Sequence, residues 1–150
     1  MKRLIAGLVT VGFLVALVAC GGGTVSMEDA KEAFMFSVTT SLMVSMGTAF
    51  GEEIEGVIVD EETSDITLEG FDLASYLDEG AEDVPYSTVS GSLSGTDTAM
   101  LVDFTLEGGP VSQIEFELGN EQLGSEEGFT ITAVIDGNEQ ELEITAEDLQ

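Results

Sequence analysis

The sequence predicts an α+β domain in which one N-terminal helix packs on an antiparallel meander sheet of about seven strands. Two observations carry this expectation. The stretch from Ala33 to Gly51 holds no charged residue and repeats its apolar side chains at helical spacing. From Glu52 onward the pattern changes to period two, with Gly, Asp, Asn and Ser between the runs. The helix would cross the apolar face of the sheet, whether that sheet is flat or curved into a half-barrel.

The helix has a start signal in Ser26-Met27-Glu28-Asp29, a capping residue followed by acids in the first turn. The spacing predicts a helix from Met27 to about Thr48, stopping near Gly47 or Gly51. Ala30, Phe34, Val38, Leu42 and Met46 recur every four residues, and Met35, Phe36, Met43 and Val44 broaden the face. A helix apolar on most sides is buried in a core or a membrane. Its six interspersed Ser and Thr residues, Ser37 to Thr48, favour the core. Its Met and Phe side chains would suit a hydrophobic groove, although methionines fill ordinary interiors as readily.

Ile54 to Asp60 and Asp65 to Phe71 are the first two strands, with Val57 and Val59 on the face of Ile66 and Leu68. Leu73 to Leu77 reads as a helical turn or an extended edge, and Asp78 to Pro85 as a polar loop. Val89 and Leu93 then alternate with serines, and Met100, Val102, Phe104 and Leu106 with polar residues, Leu101 excepted. A two-residue loop at Thr96-Asp97 would pair Leu93 with Met100 and Val89 with Phe104. A three-residue loop at Gly108-Gly109-Pro110 would place Phe104 opposite Ile114, Val102 opposite Phe116 and Asp103 opposite Glu115. A two-residue loop there would set apolar against polar. After an acidic loop from Gly119 to Gly128, Phe129, Ile131, Ala133 and Ile135 form a strand. A turn around Asp136-Gly137-Asn138 leads to the last one, with Leu142 and Ile144 inward.

The charge balance is extreme. All 30 acidic residues lie beyond Cys20, where Lys31 is the one basic side chain, a net charge of −29. Such a surface repels nucleic acid and anionic head groups, which argues against phosphate-binding roles. The apolar content of 43% is far above that of disordered acidic chains. The acids are spread along the whole chain beyond Cys20, as adaptation to high salt would spread them, rather than grouped with cation-ligand spacing.

The first residues carry a different message. Lys2 and Arg3 precede an apolar run from Leu4 to Val18, the layout of a secretory signal. Leu17-Val18-Ala19-Cys20 then resembles the lipobox of bacterial lipoproteins. The resemblance covers these twenty residues and names no family for the remainder. It implies diacylglyceryl transfer to the Cys20 thiol, cleavage after Ala19, and acylation (palmitate) of the new terminus. Leu17, three before the cut, is too large for an ordinary secretory cleavage site. The rival is an uncleaved transmembrane anchor, but Gly21-Gly22-Gly23-Thr24 breaks the apolar run. The expected organisation is a signal peptide at 1–19, a lipidated tether at 20–25 and an acidic α+β domain at 26–150. The domain would be exported and membrane-anchored by lipid in the cell envelope. Gly21, where the resemblance would read aspartate as an inner-membrane retention signal, points to the outer membrane if the organism has one.

Beyond Cys20 there is no His, Cys, Arg or Trp. This excludes His-assisted serine hydrolysis, thiol catalysis and His-based zinc sites. Among so many acids a carboxylate pair carries no signal for glycoside hydrolysis, and only Tyr76 and Tyr86 offer a stacking surface. Asp60-Glu61-Glu62 with Asp65 is the best acidic cluster, and it reads as a solvated turn. Asp136-Gly137-Asn138-Glu139 reads as a hairpin turn rather than a calcium loop. No catalytic residue, metal site or cofactor is assigned. Lipidation at Cys20 is the one site. The expected role is a non-catalytic binding or structural lipoprotein with an envelope protein or hydrophobic ligand as partner. The alternatives are a lipid carrier whose half-barrel is lined by Phe34, Met35, Val38, Leu42, Phe104 and Phe116, and a cation-binding surface protein.

Overall fold

In the computed structural model, which describes residues 25–77 and 84–149, Ser26 begins the helix as its sequence suggests. The Asp29 N–H donates to Ser26 Oγ at 3.1 Å, and Glu28 and Asp29 occupy the first turn, where the helix dipole favours negative charge. Helix α1 spans Met27–Ala49. It stops where the Phe50 N–H turns back to the carbonyls of Met46 and Gly47, and Gly51 takes a positive φ of 83°.

Seven strands follow: β1 (Val57–Val59), β2 (Ile66–Phe71), β3 (Thr88–Gly95), β4 (Ala99–Glu107), β5 (Gln113–Gly119), β6 (Gly128–Ile135) and β7 (Asn138–Thr145). They pair antiparallel in sequence order as one open sheet with β1 and β7 at its edges. This is the α+β meander that the hairpin rhythm predicts. Two short helices interrupt it, α2 (Leu73–Leu77) and α3 (Asn120–Leu123). Asp72 starts α2, its carboxylate accepting from the Ser75 N–H at 3.1 Å and from the Ser75 hydroxyl at 3.0 Å. This resolves Leu73–Leu77 as helical; the expected loop at Asp78 to Pro85 lies mostly outside the described residues.

The registers follow apolar parity. Val57 pairs Leu68 and Val59 pairs Ile66. Across β4 and β5, Phe104 faces Ile114, Val102 faces Phe116 and Asp103 faces Glu115, as the Gly108-Gly109-Pro110 loop requires. The β6–β7 turn is Asp136-Gly137, with φ of 51° and 86° and Ile135 paired to Asn138. Both central residues need positive φ in a type I′ turn, which explains the Asp-Gly pair.

Two expectations need correction in the strands. Leu93 pairs Val102, not Met100, and Val89 pairs Leu106, not Phe104. The turn closes one residue later than Thr96-Asp97, because Thr96 Oγ1 accepts from the Ala99 N–H at 3.0 Å while the Thr96 N–H donates to the Ala99 carbonyl at 2.8 Å. A shift of two keeps every side chain on its face, so the core is unchanged. Ile54 to Gly56 is not strand. Gly56 takes a φ of 83°, and the Val57 N–H closes a turn to the Ile54 carbonyl at 3.1 Å.

A third correction concerns α1. Its buried side is Ala30, Ala33, Phe34, Phe36, Ser37, Thr40, Ser41, Val44 and Gly47, whereas Leu42 and Met46, expected inside, are exposed. Large side chains come instead from the sheet: Val102, Phe104, Ile114, Leu118, Ile135 and Leu142 are all nearly inaccessible. Small helix residues against large strand residues fill the space without strain. Phe34 and Phe36 are the exceptions, and Phe34 is the anchor, its ring 4.7 Å from that of Phe116 and 6.4 Å from that of Phe129. Burying such a ring stabilises by roughly 2–3 kcal/mol.

Candidate functional site

Cys20, the predicted lipidation site, lies outside the described residues. What the structure describes is where the chain following it enters the domain. Gln140 Nε2 on β7 donates to the Val25 carbonyl at 3.3 Å, so the end of the tether is held against the sheet edge. Six residues later Lys31 reaches from α1 to Asp148, beyond β7, with Nζ and Oδ2 2.7 Å apart. The Lys31 ammonium, helped by the N–H and hydroxyl of Thr145, holds the Asp148 carboxyl well below its usual range, at about 2. An open depression of about 540 Å³ lies here, lined by Met27, Glu28, Lys31, Glu32, Met35 and Asp148. The entry point of the chain is thus clamped by the domain's one basic side chain and by the β7 amide.

The space a carrier would need, between α1 and the sheet, holds packed side chains. Phe34, Phe104 and Phe116 belong to one continuous buried core, with Met35 and Val38 packed at its margin, while Leu42 points away from it. Phe36 packs on Tyr86 with ring centroids 5.0 Å apart. The Tyr86 hydroxyl accepts from the Val111 N–H at 3.3 Å, and burial pushes its pKa up. Two hydroxyls in this interface, Thr40 Oγ1 and Ser41 Oγ, are buried with no hydrogen-bond partner, while Ser37 Oγ donates to the Ala33 carbonyl at 2.8 Å.

At the other end of α1, Tyr76 Oη donates to Glu52 Oε2 at 2.8 Å. This bond to the carboxylate raises the tyrosine pKa. A Cβ at Gly47 would lie 2.7 Å from Glu52 Oε2 and 2.8 Å from Ile54 Cδ1, so the ends of these side chains would have to shift to admit one. The sequence marks Glu52 only as the start of the period-two region and does not show this link; a lone Glu–Tyr pair 24 residues apart leaves no pattern to find.

The acidic clusters have local structural roles. Asp60 Oδ1 accepts from the N–H groups of Glu62 at 2.8 Å and Thr63 at 3.1 Å, and the bond from Glu62 leads in lowering its pKa. It closes the β1–β2 loop on itself. Asp136 Oδ1 accepts from the N–H groups of Ser112 and Gln113, each at 2.8 Å, joining two loops. On the outer face of the sheet, Asp103, Glu115, Glu117 and Glu139 rim an open depression of about 430 Å³ together with Leu101 and Val134. Among the described residues, no three or more acidic, His or Cys side chains are placed to hold a metal ion.

Among the described residues no helix is long and apolar enough to cross a membrane. The geometry offers a clamped entry point, a filled core and carboxylate faces. No protein-family model, curated protein or solved structure matches this chain.

Proposed function

We propose that this protein is an exported lipoprotein, held to a membrane of the cell envelope by acylation of Cys20, whose acidic domain has a non-catalytic binding or structural role. One observation carries the proposal: Lys2-Arg3, the apolar run Leu4 to Val18, and Leu17-Val18-Ala19-Cys20 stand in the order that lipoprotein processing needs. The structure is compatible with it in a specific way. The folded domain starts at Ser26, six residues after Cys20, and the Val25 carbonyl is already bonded to Gln140. A domain that begins so close to its anchor works at the membrane surface. The filled interface between α1 and the sheet favours action through the surface over a carrier's interior.

Replacing Cys20 with serine tests the anchoring. The variant is expected to lose its lipid mass and appear in the soluble exported fraction or as an unprocessed precursor. Unchanged membrane retention together with unchanged mass would overturn the reading. For the binding role, native mass spectrometry of the protein extracted from its own membrane separates a retained lipid, a bound cation and a partner protein.

A further inference from the structure

We infer that the outer face of α1 from Met35 to Phe50 docks on the lipid surface to which Cys20 is attached. The inference rests on the lipid anchoring proposed above and adds a second point of contact with the bilayer.

The face is unusual for this domain. At helical spacing it presents Thr39, Leu42, Met46 and Phe50, with the half-buried Met35 and Val38 at its margin, and none of the residues from Ala33 to Gly51 is charged. Leu42 is 40% exposed, Met46 60% and Phe50 81%, the last the most exposed large apolar residue described. From Ser37 onward the buried side of the same helix carries Ser37, Thr40, Ser41, Val44 and Gly47. This half of the helix thus turns smaller residues inward and sends Leu42, Met46 and Phe50 to solvent, the reverse of ordinary patterning. Elsewhere the domain bears 30 acids against a single lysine, so this strip is where it can approach a bilayer without desolvating charge.

The chain geometry selects the occupant. Six residues lie between Cys20 and Met27, a reach of at most about 25 Å. The strip is about 24 Å long at the helical rise. The acyl chains would therefore hold the helix within its own length of the membrane, at an effective concentration on the order of millimolar. Weak insertion of three side chains suffices under that condition. Glu28 and Glu32 on the first turns and Glu53 just past Gly51 limit the depth to the interface. A second copy is the poorer occupant. A strip about 24 Å by about 10 Å is far below the roughly 800 Å² per partner of a stable dimer, and two strongly negative domains repel each other.

The full-length lipidated protein reconstituted in phosphatidylcholine vesicles at molar salt tests this. Acylation occupies Cys20, so Met46→Cys, Phe50→Cys or Thr132→Cys each supplies one free thiol for a nitroxide, the last on the outer sheet face as control. Labels at 46 and 50 are expected to show a several-fold higher ratio of oxygen to nickel-complex collisions than the label at 132. If the protein floats with the vesicles but all three labels are equally aqueous, the docking is wrong and the anchoring stands. If it does not float, both are wrong. Dipolar broadening between labels at 50 would replace the bilayer with a second copy and overturn the inference.

Discussion

Lys31 Nζ on α1 and Asp148 Oδ2 after β7 lie 2.7 Å apart, joining the two ends of the domain through its one basic side chain. The Asp148 carboxyl is held at about 2 against an ordinary 3.8, chiefly by Lys31 and then by Thr145. A carboxyl whose folded pKa is depressed stabilises the fold fully above its unfolded value, and that contribution is lost as pH falls through the folded value. The window is therefore from about 4 down to about 2. Asp148→Asn should lower the thermal midpoint at pH 6, and the difference from the parent should close across that window. Both side chains are partly exposed, so molar salt should shrink the difference at pH 6 as well. A difference that persists at pH 2 would assign the effect to the Thr145 turn rather than to the charge.

Thr40 is expected to behave opposite to most core positions. Its hydroxyl is fully buried without a partner, in a helix where Ser37 has solved the same problem by donating to Ala33. An unsatisfied buried hydroxyl costs about 1–3 kcal/mol. Thr40→Val keeps the shape and removes the polar atom, so it should raise unfolding free energy by about 1 kcal/mol in urea titrations. A loss of stability would reveal a bound water or other partner for that oxygen.

Gly91 should be irreplaceable where Gly95, in the same strand, is not. Gly91 takes a φ of 137°, and a Cβ there would sit 2.1 Å from the Asp103 carbonyl oxygen across the β3–β4 pair. Gly91→Ala should destabilise by about 2–4 kcal/mol through strain and strand displacement. At Gly95 an added Cβ meets nothing within 4 Å, so Gly95→Ala should stay within about 0.5 kcal/mol. Denaturant midpoints of the two variants, measured side by side, check this.

These positions also mark how far the sequence was readable. The β4–β5 register was legible because apolar parity excludes any one-residue slip, and a three-residue Gly-Gly-Pro loop leaves one solution. Parity does not distinguish a slip of two, which is why the β3–β4 register moved when Thr96 closed its own turn. The helix face was misread for a related reason. From Ala33 to Gly51 no charge marks a solvent side, so Leu42 and Met46 looked like core, and only the bulk of Phe104 and its neighbours on the sheet decides that small residues turn inward. Of the candidate site, the lipidation proposed at Cys20 rests on local residue order alone, whereas the Gln140–Val25 clamp spans 115 residues and leaves no trace in sequence.

The outer sheet face offers a direct measure of what the acidic coat is for. Asp103 and Glu115 stand opposite each other on β4 and β5, flanked in the same row by the uncharged Ser92 and Val134. Directly opposed like charges destabilise a strand pair by about 0.2–1 kcal/mol. At molar salt the screening length falls to about 3 Å and most of that repulsion disappears. Glu115→Gln should therefore stabilise the fold at low ionic strength and be neutral at molar sodium chloride, flattening the rise of thermal midpoint with salt. A calcium titration at matched ionic strength separates the two explanations of the coat. If millimolar calcium raises the parent's midpoint beyond the ionic-strength effect, and Glu115→Gln abolishes the rise, the face binds divalent cations. If calcium adds nothing, screening alone relieves the pair, and the carboxylates serve the domain at high salt.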